Sequence, residues 1–510
     1  CNAGVCGPIG PTDGKKNGDE TDVDCGGPTA PKCANGKACA VKTDCADDYC
    51  PEDTKKCTAP TYDDGVLNGT ETDLDCGGTG AGMKKCAETK ACLVDNDCNG
   101  ACNYKKACVD APSCKGQFGG DTCGTGESPD VGKNHQSCCR TLPVPGYADP
   151  NQAGKTVYLD KYEITAGRMR AFLEALGGGV DAAGNAKDAN VKAWIAAHRP
   201  ARWNVGWDNV LPTANKNSIA SYTIINSGVV DPLYPGPSQY NSTQKLGDWM
   251  NNPGNYSVDV GIFRALGAPA MFPEYSSSLA SGGVYSVAHA LNCTNTHGGG
   301  GQSTYWFDAA TIVANSEDGS VGKFFTKNQM DEKALNCTTF AMYAAFCAWD
   351  GGQLATAEVI DYITGNTRSP VYGPAPNFTQ NGKLAIGNTV CGPNGANGAN
   401  PLLTFNDGGS YPCYNVYHYP DETGDDYDDS WKVAPGGRVP ADVIVKNAGD
   451  EPWMDLIGNL EEAVIAAGGT SVFDWRGFGH EYNSIGYHRL QMSTPRGKGG
   501  AFGARCMRFK

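Results

Sequence analysis

Two nearly identical stretches carry clustered oxygen ligands of the kind that hold metals. Residues 13–27 read DGKKNGDETDVDCGG, and residues 64–78, 51 positions later, read DGVLNGTETDLDCGG. Hard cations such as calcium prefer clustered Asp, Asn and Glu oxygens on a flexible loop. The spacing lacks the terminal bidentate Glu of an EF-hand loop, however, and Asx and Gly residues explain the same letters as turns. Turns are the expectation, with calcium as the alternative.

Sulfur is the second chemistry on offer. Of 24 cysteines, 18 lie in the first 139 residues. Zinc fingers need paired C-x₂-C ligands and covalent haem needs C-x-x-C-H, and neither spacing occurs. Disulfides in an oxidising compartment remain, which implies export. The seven histidines (135, 198, 289, 297, 418, 480 and 488) form no HExxH or HxH pattern, so zinc hydrolysis has no signature. The glycine run at 298–301 lacks the Lys-Ser/Thr of a P-loop and reads as a loop.

Composition narrows the partners. A net charge of −15 and an isoelectric point near 4.9 disfavour nucleic acid and anionic membrane. No apolar run of 18 residues occurs, so no bilayer-spanning helix is expected. Residue 1 is Cys, as in a mature bacterial lipoprotein. A lipid on Cys1 would make the protein surface-anchored; a processed or truncated start is the alternative. Six N-x-S/T triplets (at Asn68, Asn241, Asn255, Asn292, Asn336 and Asn377) are assigned no glycans, because the Cys1 start looks bacterial.

Four regions are expected: cysteine-rich repeats at 1–58 and 59–110, a disulfide-rich linker at 111–142, and a large domain at 143–510. From Cys25 and from Cys76 each repeat runs through six cysteines, Cys1 and Cys6 preceding the first set, and describes a stapled module with little apolar core. Connectivity is not fixed by spacing. The 68 glycines and 30 prolines point to a loop-rich, irregular α+β architecture. In the large domain a strand near Val157 leads to a helix capped by Thr165, with Met169, Phe172, Leu173 and Leu176 on its buried face. A second helix follows Thr339, with Phe340, Tyr343, Ala344 and Cys347 on one face. A third follows Thr356, carrying Val359, Tyr362 and Ile363.

The segments DKYEIT (160–165), AFCAWDGGQLATAEVIDY (345–362), GNLEEA (458–463) and GARC (503–506), in that order, resemble the signature motifs of the formylglycine-generating enzyme (sulfatase-modifying factor) family. The resemblance implies a variant C-type-lectin fold over about 137–510. It pairs Cys347 with Cys506, a closure worth on the order of 4–5 kcal/mol in the chain-entropy model. Cys391–Cys413 and Cys293–Cys337 are then the default remaining pairs. It also implies calcium held by Asp455, Gly458, Leu460 and Glu462, and a second calcium at Asn415, Val416, Asp428 and Ser430.

Active members of that family hold copper on two cysteines. Here those positions fall on Phe473 and Phe478, and no cysteine lies between Cys413 and Cys506. Copper needs thiolates, so none is expected. The resemblance therefore implies a scaffold without its catalyst: an exported, non-catalytic binding or structural protein. The alternatives are a subunit of an extracellular filament or layer, or an enzyme of altered chemistry. Trp475, Phe478, His480, Tyr482, Asn483 and Tyr487 offer aromatic and amide groups to a protein or carbohydrate ligand, or to copies of the chain. Equally, these aromatics fill the space of the lost copper site.

Overall fold

The computed structural model divides into two units, Cys1–Asp110 and Ala111–Lys510. It describes residues 10–125, 134–180, 186–187, 189–212, 304–306, 327–364, 403–404, 410–411, 433–438, 443–456, 459–466, 473–477, 488–492 and 502–510.

In the first unit, disulfides stand where a core would be. Repeat one bonds Cys25–Cys33, Cys39–Cys50 and Cys45–Cys57, and repeat two bonds Cys76–Cys86, Cys92–Cys102 and Cys98–Cys108. The connectivity is the same in both: first to second, third to fifth, fourth to sixth. The buried apolar cluster of each repeat consists of these cysteines alone. Short 3-10 turns at Lys42–Asp44 and Asp95–Asp97 occupy matching places. Their last residues, Asp44 and Asp97, are buried and reach back to three backbone N–H groups each. Asp97 accepts from Leu93 at 2.7 Å, Val94 at 3.0 Å and Gly78 at 2.8 Å. Asp44 accepts from Ala40, Val41 and Gly27 in the same way. The DCGG signature has a steric cause. Gly26 and Gly77 have φ of +77° and +75°, and a Cβ there would meet the Thr21 or Thr72 hydroxyl within 2 Å.

The second unit is α+β, with helices packed among small sheets. One sheet joins β1 (Thr141–Pro143), β2 (Val157–Asp160), β3 (Gln353–Leu354) and the C-terminal β8 (Cys506–Phe509), in the spatial order β1-β2-β8-β3, all antiparallel. The other has the order β6-β5-β4-β7, built from β4 (Glu461–Ile465), β5 (Phe473–Gly477), β6 (His488–Met492) and β7 (Phe502–Ala504). Only its β4–β7 pair is parallel. All five β4 residues are buried, so the strand lacks the alternation of a half-solvated sheet.

Helix α1 (Ala166–Ala175) starts where Thr165 Oγ1 accepts the Arg168 N–H at 3.2 Å, and it buries Met169, Phe172 and Leu173. The short helices α2 (Val191–His198) and α3 (Lys327–Glu332) follow. Helix α4 (Phe340–Trp349) is apolar on nearly every side and correspondingly buried. Thr339 sits at its N-cap without a side-chain capping bond. Helix α5 (Ala357–Thr364) follows Thr356, whose hydroxyl accepts the Val359 N–H at 3.4 Å.

Residues 111–142, read from sequence as a linker, are built into the second unit. Buried arginines explain why. Arg168, with no exposed surface, donates to Ser113 Oγ at 2.9 Å and to the Cys138 carbonyl at 3.1 Å. It also pairs with Asp160 at 2.9 Å and Asp350 at 2.8 Å, and Asp350 accepts the Ser113 N–H as well. Arg508 pairs with the same two aspartates. Two guanidinium groups thus face two carboxylates in a network that balances in charge. Disulfides Cys114–Cys139 and Cys123–Cys138 brace this stretch.

Candidate functional site

Near this balanced network lies a buried polar cluster with an excess of carboxylates. Glu163 sits between β2 and α1, Asp455 follows the Trp453–Met454 strand, Glu462 lies on β4, and Arg505 links β7 to β8. Their exposures are 0%, 3%, 0% and 0%. Arg505 donates to Glu462 Oε1, the Lys161 carbonyl and the Met454 carbonyl, each at 2.5 Å. Glu163 accepts the Leu460 N–H at 3.0 Å and the Asn459 amide at 2.6 Å. Asp455 accepts the Gly437 N–H. Glu462 Oε2 is buried and has no hydrogen-bond partner.

Burial dominates the electrostatics here. It pushes Asp455 up to about 6, against the pull of Arg505 and the Gly437 N–H. Burial likewise pushes Glu462 up to about 7, despite the Arg505 ion pair, with the Asp455 charge adding to the rise. Glu163 is held well above the ordinary carboxylate range by burial and then by the charges of Glu462 and Asp455. Arg505 is raised: burial opposes its charge, and Glu462 and Glu163 outweigh that.

The residues expected to hold calcium fall partly in this cluster. Asp455 and Glu462 belong to it, and Leu460 touches it through its N–H to Glu163. Asp455 and Asn459 both have left-handed φ, 55° and 63°, and Asn459 and Leu460 donate to Glu163. Gly458 and the second expected set, Asn415, Val416, Asp428 and Ser430, lie outside the described residues. As a donor set the cluster offers only oxygen acceptors, and Glu462 Oε2 lacks a donor, but Glu163, Asp455 and Glu462 do not converge closely enough to form a three-ligand group.

Cys347 and Cys506 are bonded to each other, with an S–S distance of 2.03 Å, joining α4 to the start of β8. Cys337 is also in a disulfide; its partner, like Cys293, Cys391 and Cys413, lies outside the described residues. Three sulfurs converge at Cys39, Cys45 and Cys50, and three at Cys92, Cys98 and Cys108. All six are disulfide sulfurs and offer no thiolate to a metal.

At the first of the two positions where the resemblance places copper-binding cysteines, Phe473 is fully buried. Its ring lies 4.4 Å from Trp207 and 5.4 Å from Phe340. Trp475, two residues along β5, is half-buried and stacks on Phe502 at 4.6 Å. Phe478, His480, Tyr482, Asn483 and Tyr487 lie outside the described residues.

Sequence reasoning missed Glu163 and Arg505 as members of the cluster. A signal was present: each is a charged residue inside an otherwise apolar strand-like stretch, YEI and ARC, where a charge is buried only with a partner. No protein-family model matches the chain, and no curated protein matches it either.

Proposed function

We propose that this chain is an exported, non-catalytic protein whose large unit is a variant C-type-lectin scaffold of the formylglycine-generating type. Phe473 carries the reading. An aromatic ring packed against Trp207 and Phe340 occupies a position where copper chemistry would need a thiolate. The disulfides support an oxidising, extracellular setting, and the stapled repeats suit a protease-resistant stalk. At the acidic cluster Asp455 and Glu462 would hold a calcium ion, which would neutralise the surplus negative charge and brace the turn between them. The function then lies in binding a protein or carbohydrate, or in assembly.

The test incubates the full chain with copper, oxygen and a cysteine-containing sulfatase peptide, and weighs the peptide by mass spectrometry. The cysteine is expected to stay intact; conversion to formylglycine would overturn the proposal.

A further inference from the structure

We infer that each cysteine-rich repeat binds one calcium ion in its DGxxNGxET loop, through the side-chain oxygens of Asn17 and Glu20 in the first repeat and Asn68 and Glu71 in the second. The second loop shows it best. Asn68 is 8% exposed. Its Nδ2 donates to Asp64 Oδ2 at 3.3 Å, and its backbone N–H donates to Glu71 Oε2 at 3.2 Å. Both nitrogens are committed, and Oδ1 is buried and has no donor. Glu71 Oε1, the other oxygen of the same carboxylate, is also buried without a donor. Two buried acceptors without donors, on residues joined by the Asn68 N–H to Glu71 hydrogen bond, are the environment a cation satisfies.

The first loop repeats the asparagine half of this arrangement, with Asn17 and Glu20 half-buried and Glu20 Oε2 also accepting the Asp24 N–H at 3.3 Å. Asn17 Nδ2 donates to Asp13 Oδ2 at 2.8 Å, its N–H donates to Glu20 Oε2 at 3.1 Å, and its Oδ1 is again buried without a partner. The two loops differ at 15/66, 16/67, 19/70 and 23/74 and keep every oxygen-bearing residue named above. Among the described residues no three carboxylates converge in either loop, so the asparagine oxygen is what makes the site. Asp64 and Asp75, each accepting a loop N–H, add negative charge around the second loop, as Asp13 and Asp24 do around the first.

Oxygen ligands with no histidine or thiolate select a hard ion. So few charged ligands place the affinity with extracellular modules, at about 10⁻⁴–10⁻³ M. This site is separate from the Asp455–Glu462 cluster and does not depend on it.

The test titrates calcium chloride into the full chain by calorimetry, comparing wild type with Asn17→Ala plus Asn68→Ala, and with Glu462→Gln. The asparagine pair is expected to lose two bound calcium ions per chain, whether or not Glu462→Gln removes another. An unchanged stoichiometry in the asparagine pair, or no calcium uptake by wild type at millimolar concentration, would overturn the inference. Should the asparagine pair fail to form the six repeat disulfides on peptide mapping, Glu20→Gln plus Glu71→Gln replaces it. There, calcium binding at least tenfold weaker is expected, and unaltered binding would count against the sites.

Discussion

Asp97 in the second repeat and Glu462 in the large unit are both carboxylates with almost no exposed surface, 1% and 0%. Their charge states are driven in opposite directions. Burial raises Asp97, but the N–H groups of Val94, Leu93 and Gly78 outweigh it and hold the group below its ordinary range. Asp44 in the first repeat is lowered in the same way. At Glu462 one guanidinium bond does not offset burial and the neighbouring Asp455, so the group rises. A small stapled module keeps its backbone donors close at hand, and one carboxylate can gather three of them. In the sheet of the large unit most backbone donors are committed to ladders, and Glu462 on β4 is left with one side-chain donor, Arg505.

The units also differ in how they resist unfolding. The repeat disulfides span 8 to 12 residues, whereas Cys347–Cys506 spans 159 and joins elements already packed in an aromatic and aliphatic core. Loss of Arg505 should have the largest effect in the large unit. Arg505→Met leaves Glu462 and Glu163 without their cation and should cost about 3–5 kcal/mol. All 9 tryptophans lie between Trp194 and Trp475, so tryptophan fluorescence in a urea titration reports this unit alone. A midpoint unchanged from wild type would refute the cluster's role.

In the repeats the sensitive point is sulfur. Cys98→Ser with Cys108→Ser should cost about 2–5 kcal/mol, enough to loosen a module whose remaining core is the Cys76–Cys86 and Cys92–Cys102 disulfides. Limited proteolysis should then cut within 59–110 while the tryptophan-monitored midpoint stays in place. Resistance to cutting would show that the repeat holds together without this disulfide.

Local features of the fold were legible because they depend on neighbours in sequence. Thr165 as a cap, the Met169–Phe172–Leu173 stripe and the apolar run of α4 follow from spacing alone. Thr339 marked the start of α4 correctly, though its hydroxyl makes no capping bond. Pairings across long separations were not legible. The repeat connectivity is one of many that six cysteines allow, and the meeting of Glu163 with Leu460, Asn459 and Arg505 needs the folded sheets. The absorption of 111–142 into the large unit rests on Arg168 and Asp350, whose partners no local pattern reveals.

The contrast between the two carboxylate environments predicts opposite pH responses. Lowered aspartates in the repeats stabilise above the ordinary carboxylate range, and that stability is lost only as pH falls below about 4. Raised carboxylates in the large unit do the reverse. The folded state holds protons that the unfolded state has released, so stability is full below an ordinary value of 4.5 and falls as pH rises toward about 7. Urea titrations by tryptophan fluorescence at pH 5 and pH 7.5, with calcium chelated, measure this directly. The midpoint should fall at the higher pH by the equivalent of roughly 1–3 kcal/mol, and Glu462→Gln should reduce the difference, leaving the share of Asp455 and Glu163. A midpoint that rises between pH 5 and 7.5, or a difference that Glu462→Gln leaves intact, would contradict the account.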